Sequence, residues 1–101
     1  MDRTKHLDNT QPLYEAVMAL DSITECEEFF QDICTPAELS ALAQRMQIAR
    51  MLMEGATYVE IRAKTGASTM LISRTQNMVR NGNNAAVRII ERCMQSRPED
   101  K

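Results

Sequence analysis

Apolar residues recur along the chain at helical spacing, and no segment alternates as a strand would. Those at 13, 14, 17, 18 and 20 make one amphipathic stretch, and those at 23, 26, 29, 30, 33 and 34 make a second. Between them Ser22-Ile-Thr-Glu25 reads as a capping box, in which hydroxyl and carboxylate each satisfy an orphan backbone N–H. Thr35-Pro36-Ala37-Glu38 repeats the signal and adds proline at the first helical position, where a missing N–H costs nothing. The third helix that starts there runs to about Glu54, roughly 28 Å at 1.5 Å per residue, and Gly55 ends it. Its apolar residues fall in two stripes, one at 39, 42, 46, 49 and 53 and another at 41, 48 and 52. One buried face does not need both, so this helix is expected to be central and shared between subunits. Thr57-Tyr-Val-Glu60 opens a short helix that Gly66 closes, and Ser68 caps a further helix to about Arg80. Gly82-Asn83-Asn84 breaks the chain before a last helix over about Ala85–Gln95, with Val87, Ile90 and Met94 on one side. The expected class is all-α.

Charge changes the picture once it is divided by segment. The 101 residues carry a net charge of −2, which taken as a mean argues against a partner as acidic as nucleic acid. Residues 1–35 hold two basic and eight acidic residues, a local charge of −6, whereas 36–101 hold ten basic and six acidic. From Ile61 through Ile90 there are five cations (Arg62, Lys64, Arg74, Arg80, Arg88) and no acid. That stretch is either the footprint of a polyanion or a solvated face that balances the acidic half.

Composition, 44% apolar and 26% charged, is that of an ordinary globular protein and excludes disorder for most of the chain. The longest apolar run, Ala16 to Leu20, is far short of the roughly 20 residues that span a bilayer, and no early apolar region marks a signal peptide, so no membrane association and a cytoplasmic location are expected. Cys26, Cys34 and Cys93 are odd in number, lack C-x-x-C spacing and sit in apolar patterns, which reads as buried free thiols in a reducing compartment. His6 is the only histidine and lies in the polar N-terminal stretch, which removes histidine-based metal sites and Ser-His or Cys-His catalysis. The three glycines stand apart, so no phosphate-cradling loop forms. Glu27 and Glu28 are adjacent on a helix and diverge by about 100° rather than sharing a proton. No catalytic residues, no metal and no enzyme activity are expected.

A short capped helix, a glycine turn and a second capped helix make residues 57–80 a helix-turn-helix pattern. Ile61 is the inward residue of the first helix, Gly66 takes a positive φ, Ala67 is small enough to pack beneath the turn, and Ile72 anchors the second helix. That leaves Ser68, Thr69, Met70 and Ser73 as candidate base-edge readers, Met70 against a thymine methyl, and Arg62, Lys64, Arg74 and Arg80 as phosphate contacts. A plain αα-hairpin containing a glycine is the alternative, and the coincidence of the motif with the acid-free basic stretch argues against it. Aromatics are 4% of the chain, with none between Val59 and the C terminus, so base stacking of the kind single-strand and RNA binders use is not expected and duplex DNA is favoured.

The run Cys34-Thr-Pro-Ala-Glu-Leu-Ser-Ala-Leu-Ala-Gln-Arg-Met-Gln-Ile48, followed by the glycine-ended helix and Gly66-Ala-Ser-Thr-Met-Leu-Ile-Ser-Arg74, resembles the Trp repressor superfamily, and within it the Trp-repressor-related branch known as YerC/YecD. The similarity covers about residues 13–95 and extends to Arg62, where Trp repressor also carries a basic residue. It implies a six-helix fold and an intertwined homodimer whose two reading helices lie about one duplex turn, ~34 Å, apart. In Trp repressor two arginines sandwich the indole of the ligand, and the matching positions are Arg45 and Arg74. Thr75 stands where the repressor has glycine and Met78 where it has a serine that helps to bind the ligand's amino group. Those larger side chains fill the implied effector pocket (Arg45, Arg74, Thr75, Met78), so tryptophan is not the expected ligand, and another small effector stays open. The alternative reading makes Arg45 a solvated or salt-bridged helix residue and Arg74 a phosphate contact.

The organisation expected is a flexible N-terminal arm over 1–11, a single helical DNA-binding and dimerisation domain over 12–96, and a C-terminal tail over 97–101. The function expected is a dimeric transcriptional regulator, a repressor that binds a palindromic duplex operator without a cofactor. The competing class is a helical dimeric protein-interaction module with a vestigial helix-turn-helix, which the acidic helices over 13–34 and the eight methionines keep open.

Overall fold

The computed structural model describes residues 9–81 and 84–95, so residues 1–8 of the expected arm and all of the expected tail lie outside the described residues, and Gln11, placed in the arm, opens the first helix. Six helices and no strand occur among them: α1 (Gln11–Met18), α2 (Ile23–Ile33), α3 (Pro36–Met53), α4 (Tyr58–Thr65), α5 (Thr69–Arg80) and α6 (Ala85–Gln95). The chain divides into two compact units between Leu39 and Ser40. None of the described helices is long and apolar enough to cross a membrane.

The first unit holds α1, α2 and the start of α3. Pro12 sits in the opening turn of α1, where the helix needs no N–H from it. At α2 the Ser22 hydroxyl accepts the Glu25 N–H at 3.0 Å, as expected. The Glu25 carboxylate departs from the expected box: with Ser22 fully extended it takes the N–H of Asp21, one residue earlier, at 2.9 Å. Thr35 and Glu38 do close reciprocally at the start of α3, at 2.9 and 3.1 Å. Phe29 and Phe30 meet edge to face with centroids 5.3 Å apart. No residue of α1 or α2 is buried.

The second unit has a core of Ile48, Ile61, Ala67 and Ile72, against which Met51, Leu52, Ala56, Tyr58 and Leu71 pack. Each fully buried isoleucine contributes roughly 1.5–3 kcal/mol of apolar burial. Both stripes on α3 are covered toward its C-terminal half, where Ile48 and half-buried Leu52 face this core and Ala49 is buried, whereas Ala41, Leu42 and Met46 of the two stripes stay exposed. Gly55, at φ 93°, turns the chain out of α3. Asn84 joins the last two helices: its side-chain Nδ2 donates to the Met78 carbonyl at 2.7 Å, and its Oδ1 accepts the Val87 N–H at 3.0 Å. Gly82 and Asn83, the rest of the expected break, lie outside the described residues.

The cysteines correct an expectation. All three are free, but Cys26 and Cys34 are half-buried and Cys93 is exposed. The inward stripe of α6 runs through Val87, Ile90 and half-buried Met94, and Cys93 falls beside it.

Candidate nucleic-acid interface

Helices α4 and α5 form the expected pair, and local chemistry sets both ends of each. Thr57 and Glu60 close a complete capping box at the start of α4, with the Thr57 N–H donating to the carboxylate at 2.8 Å and the Glu60 N–H to the hydroxyl at 3.1 Å. The single acid of α4 is thereby committed to its own backbone. Gly66, at φ 72°, ends the helix, its N–H donating to the Arg62 carbonyl at 2.9 Å. The Thr65 hydroxyl latches the turn by donating to the Ile61 carbonyl at 2.8 Å and accepting the Ala67 N–H at 3.1 Å. Ser68 then caps α5 by accepting the Leu71 N–H at 3.1 Å.

Three further bonds fix the pair. The Tyr58 hydroxyl donates to Gln76 Oε1, tying the first turn of α4 to the third turn of α5. Gln44 of α3 donates to the Thr65 carbonyl at 3.0 Å. Inside α5, the Thr75 hydroxyl donates to the Leu71 carbonyl at 2.8 Å. With Ile61, Ala67, Ile72 and Thr75 buried, the opposite side is held facing outward.

All the residues singled out as readers or phosphate contacts are exposed. Ser68, Thr69, Met70 and Ser73 occupy the first turns of α5, and Arg74 follows Met70 by four residues, one turn on along the same face. Arg62 and Lys64 project from α4 and Arg80 from the end of α5. Sequence reasoning passed over Asn77, exposed four residues after Ser73 and so in line with it; the spacing was the available signal. It also passed over Val59, which is exposed and, with Arg62, Ala63, Gly66 and Ala67, lines a groove of about 370 Å³ along α4 and the turn.

Of the four positions named as an effector pocket, Arg74, Thr75 and Met78 lie within five residues of one another on α5 and Arg45 lies on α3. Arg45 is exposed on α3 and Arg74 exposed on α5, while Thr75 is buried and Met78 half-buried. A groove of about 700 Å³ on α3 and α4 is lined by Ala43, Met46, Gln47, Arg50, Met51, Glu54 and Lys64, and includes none of the four.

The model of the family described as Trp repressor protein matches residues 8–94. The chain belongs to the Trp repressor family. Among relatives of this family member, the uncharacterized protein YerC of Bacillus subtilis is 41% identical over 97 residues, which is 96% of this chain and 90% of that protein. The crystal structure of a TrpR-like protein from Eubacterium eligens is 40% identical, covers 84% of this chain and 88% of that one, and superposes with a TM-score of 0.77. A crystal structure from Staphylococcus aureus, 37% identical, covers 89% of this chain and 92% of that one with a TM-score of 0.79. The all-helical architecture is therefore that of a Trp repressor relative, and the family points to a regulator rather than an enzyme.

Proposed function

We propose that this protein is a sequence-specific, duplex-DNA-binding transcriptional regulator in the cytoplasm, acting as an intertwined homodimer on a palindromic operator. The observation that carries the reading is the α4–α5 pair itself: Ile61, Ala67 and Ile72 bury its inner side, while Ser68, Thr69, Met70 and Ser73 stand exposed in the first turns of α5. This is where the second helix of such a motif meets base edges. Arg62, Lys64, Arg74 and Arg80 on the same two helices are exposed, with no acid between Ile61 and Ile90, which suits phosphate contacts. Repression as the direction of control follows the family's name.

A second copy of the chain is supported by apolar surface. Two amphipathic helices, α1 and α2, bury no residue, and Tyr14, Met18, Ile23 and Ile33 are all exposed on them, as are Leu42 and Met46 on α3. Exposed apolar surface of this extent marks an interface, and an interface between copies would set the two α5 helices on successive turns of one duplex face. Tryptophan is not the effector in this reading, because Thr75 and Met78 take part in the packing of α5 rather than leaving space beside Arg74.

Selection of the purified protein against a random duplex library tests the reading. The expected result is an enriched inverted repeat with half-site centres about 34 Å apart. No enrichment, with a dimer in solution, favours a protein-interaction module instead.

A further inference from the structure

We infer that the Tyr58–Gln76 hydrogen bond positions the reading helix: it fixes the rotation of α5 against α4, so that breaking it lowers discrimination between duplexes and not affinity for DNA in general. The inference rests on the duplex-binding reading above and adds two residues that contact no DNA in that reading. The bond lies far from the turn. Tyr58 is the first residue of α4 and precedes Gly66 by eight, and Gln76 follows Gly66 by ten, which puts the bond about 10 Å from the turn along either helix. The turn end is held by Gly66 and by the Thr65 hydroxyl, which bridges Ile61 and Ala67. Between the two ends the helices meet through buried Ile61, Ala67 and Ile72. Apolar contact is non-directional, so it resists separation of the helices more than rotation of one against the other. A hydrogen bond is directional, and at the open end of the pair it opposes that rotation.

Rotation matters to base edges and little to phosphates. Side chains reach about 5–6 Å from a helix axis, so turning α5 by about 10° carries Thr69 or Ser73 sideways by about 1 Å. A base-edge hydrogen bond tolerates only about 0.5 Å in donor–acceptor distance, so that shift breaks it. Arginine and lysine stand on long stems that follow a phosphate over the same distance, so Arg62, Lys64, Arg74 and Arg80 keep their contacts. Tyr58 packs its ring against the core and Gln76 is half-buried, so neither stands with the exposed readers Ser68, Thr69, Met70 and Ser73. The two act through the orientation of α5.

The test uses the full chain, the duplex it selects and a random duplex, well below the melting temperature of each variant. Tyr58→Phe keeps the ring in the core and removes only the hydroxyl, whereas Gln76→Met keeps the length of the side chain and removes the acceptor. Each should lower the ratio of cognate to random affinity about fivefold, the worth of one net hydrogen bond, with random affinity and the salt slope unchanged. The double variant should lose no more than either single one, because the bond is broken only once. A bond that merely held the fold together would shrink the folded fraction and weaken both duplexes alike, so an unchanged ratio in Tyr58→Phe overturns the inference. Additive losses in the double variant also overturn it, since the two side chains would then act on DNA separately. Both of those outcomes leave the duplex-binding reading standing. Failure to enrich any duplex overturns that reading and the inference with it.

Discussion

The side-chain amide of Gln44 donates to the backbone carbonyl of Thr65 at 3.0 Å, across 21 residues of chain. Thr65 is the last residue of α4, so its carbonyl has no partner within the helix. The same residue's hydroxyl bridges Ile61 and Ala67. One position thus closes α4, holds the turn and fixes the reading pair on α3. Replacing Gln44 with Ala leaves a partly buried carbonyl unpaired and should destabilise the fold by about 1–3 kcal/mol. Urea unfolding checks this: the midpoint should fall with the slope unchanged.

Gly66 offers a cleaner separation of causes. A Cβ added there would meet nothing within 4 Å, yet φ is +72°. The cost of Gly66→Ala is therefore conformational and not steric against neighbours, about 1–2 kcal/mol. Asparagine tolerates the left-handed region better, so Gly66→Asn should lose less than Gly66→Ala in the same unfolding experiment. Equal melting of all three proteins would contradict a left-handed turn at this position.

Met70 and Ile72, two residues apart on α5, should respond oppositely to truncation. Ile72 is 0% exposed at the centre of the second unit's core, and Ile72→Ala should cost about 2–5 kcal/mol through lost burial and the cavity left behind. Met70→Ala removes an exposed side chain and should change stability by less than about 0.5 kcal/mol. Thermal melts of the two variants decide it, and a large loss in Met70→Ala would mean that this side chain belongs to the core.

These contrasts show which features were legible in the sequence. The boxes at Thr35–Glu38 and Thr57–Glu60, the cap at Ser68 and the turn at Gly66 each depend on residues within one helical turn, and each stands where spacing put it. The box at Ser22 slipped by one N–H because the backbone entering α2, not the residue spacing, decides which N–H meets Glu25. Neither the part of α3 that is covered nor the exposure of Cys93 was legible, since both depend on what lies across from the helix. The burial of Thr75, with its hydroxyl turned back to Leu71, was likewise not legible, because it depends on what packs against α5.

Arg62 and Thr69 divide the proposed interface into two kinds of contact that salt can tell apart. Both are exposed, Arg62 on α4 and Thr69 at the first position of α5, so Ala at either position leaves the core intact. If about six phosphates are neutralised per dimer, log K should fall against log salt with a slope of about −5. Arg62→Ala removes one phosphate contact per protomer, so it should weaken cognate and random duplexes alike and flatten the slope by about 2 units per dimer. Thr69→Ala should cost about 1–3 kcal/mol on the cognate duplex alone and leave the slope unchanged, because base-edge contacts release no counterions. Fluorescence anisotropy over a salt series with both duplexes separates the two. An equal loss on both duplexes for Thr69→Ala removes it from the base-facing set, and a slope near zero for the parent protein removes phosphate binding from the reading altogether.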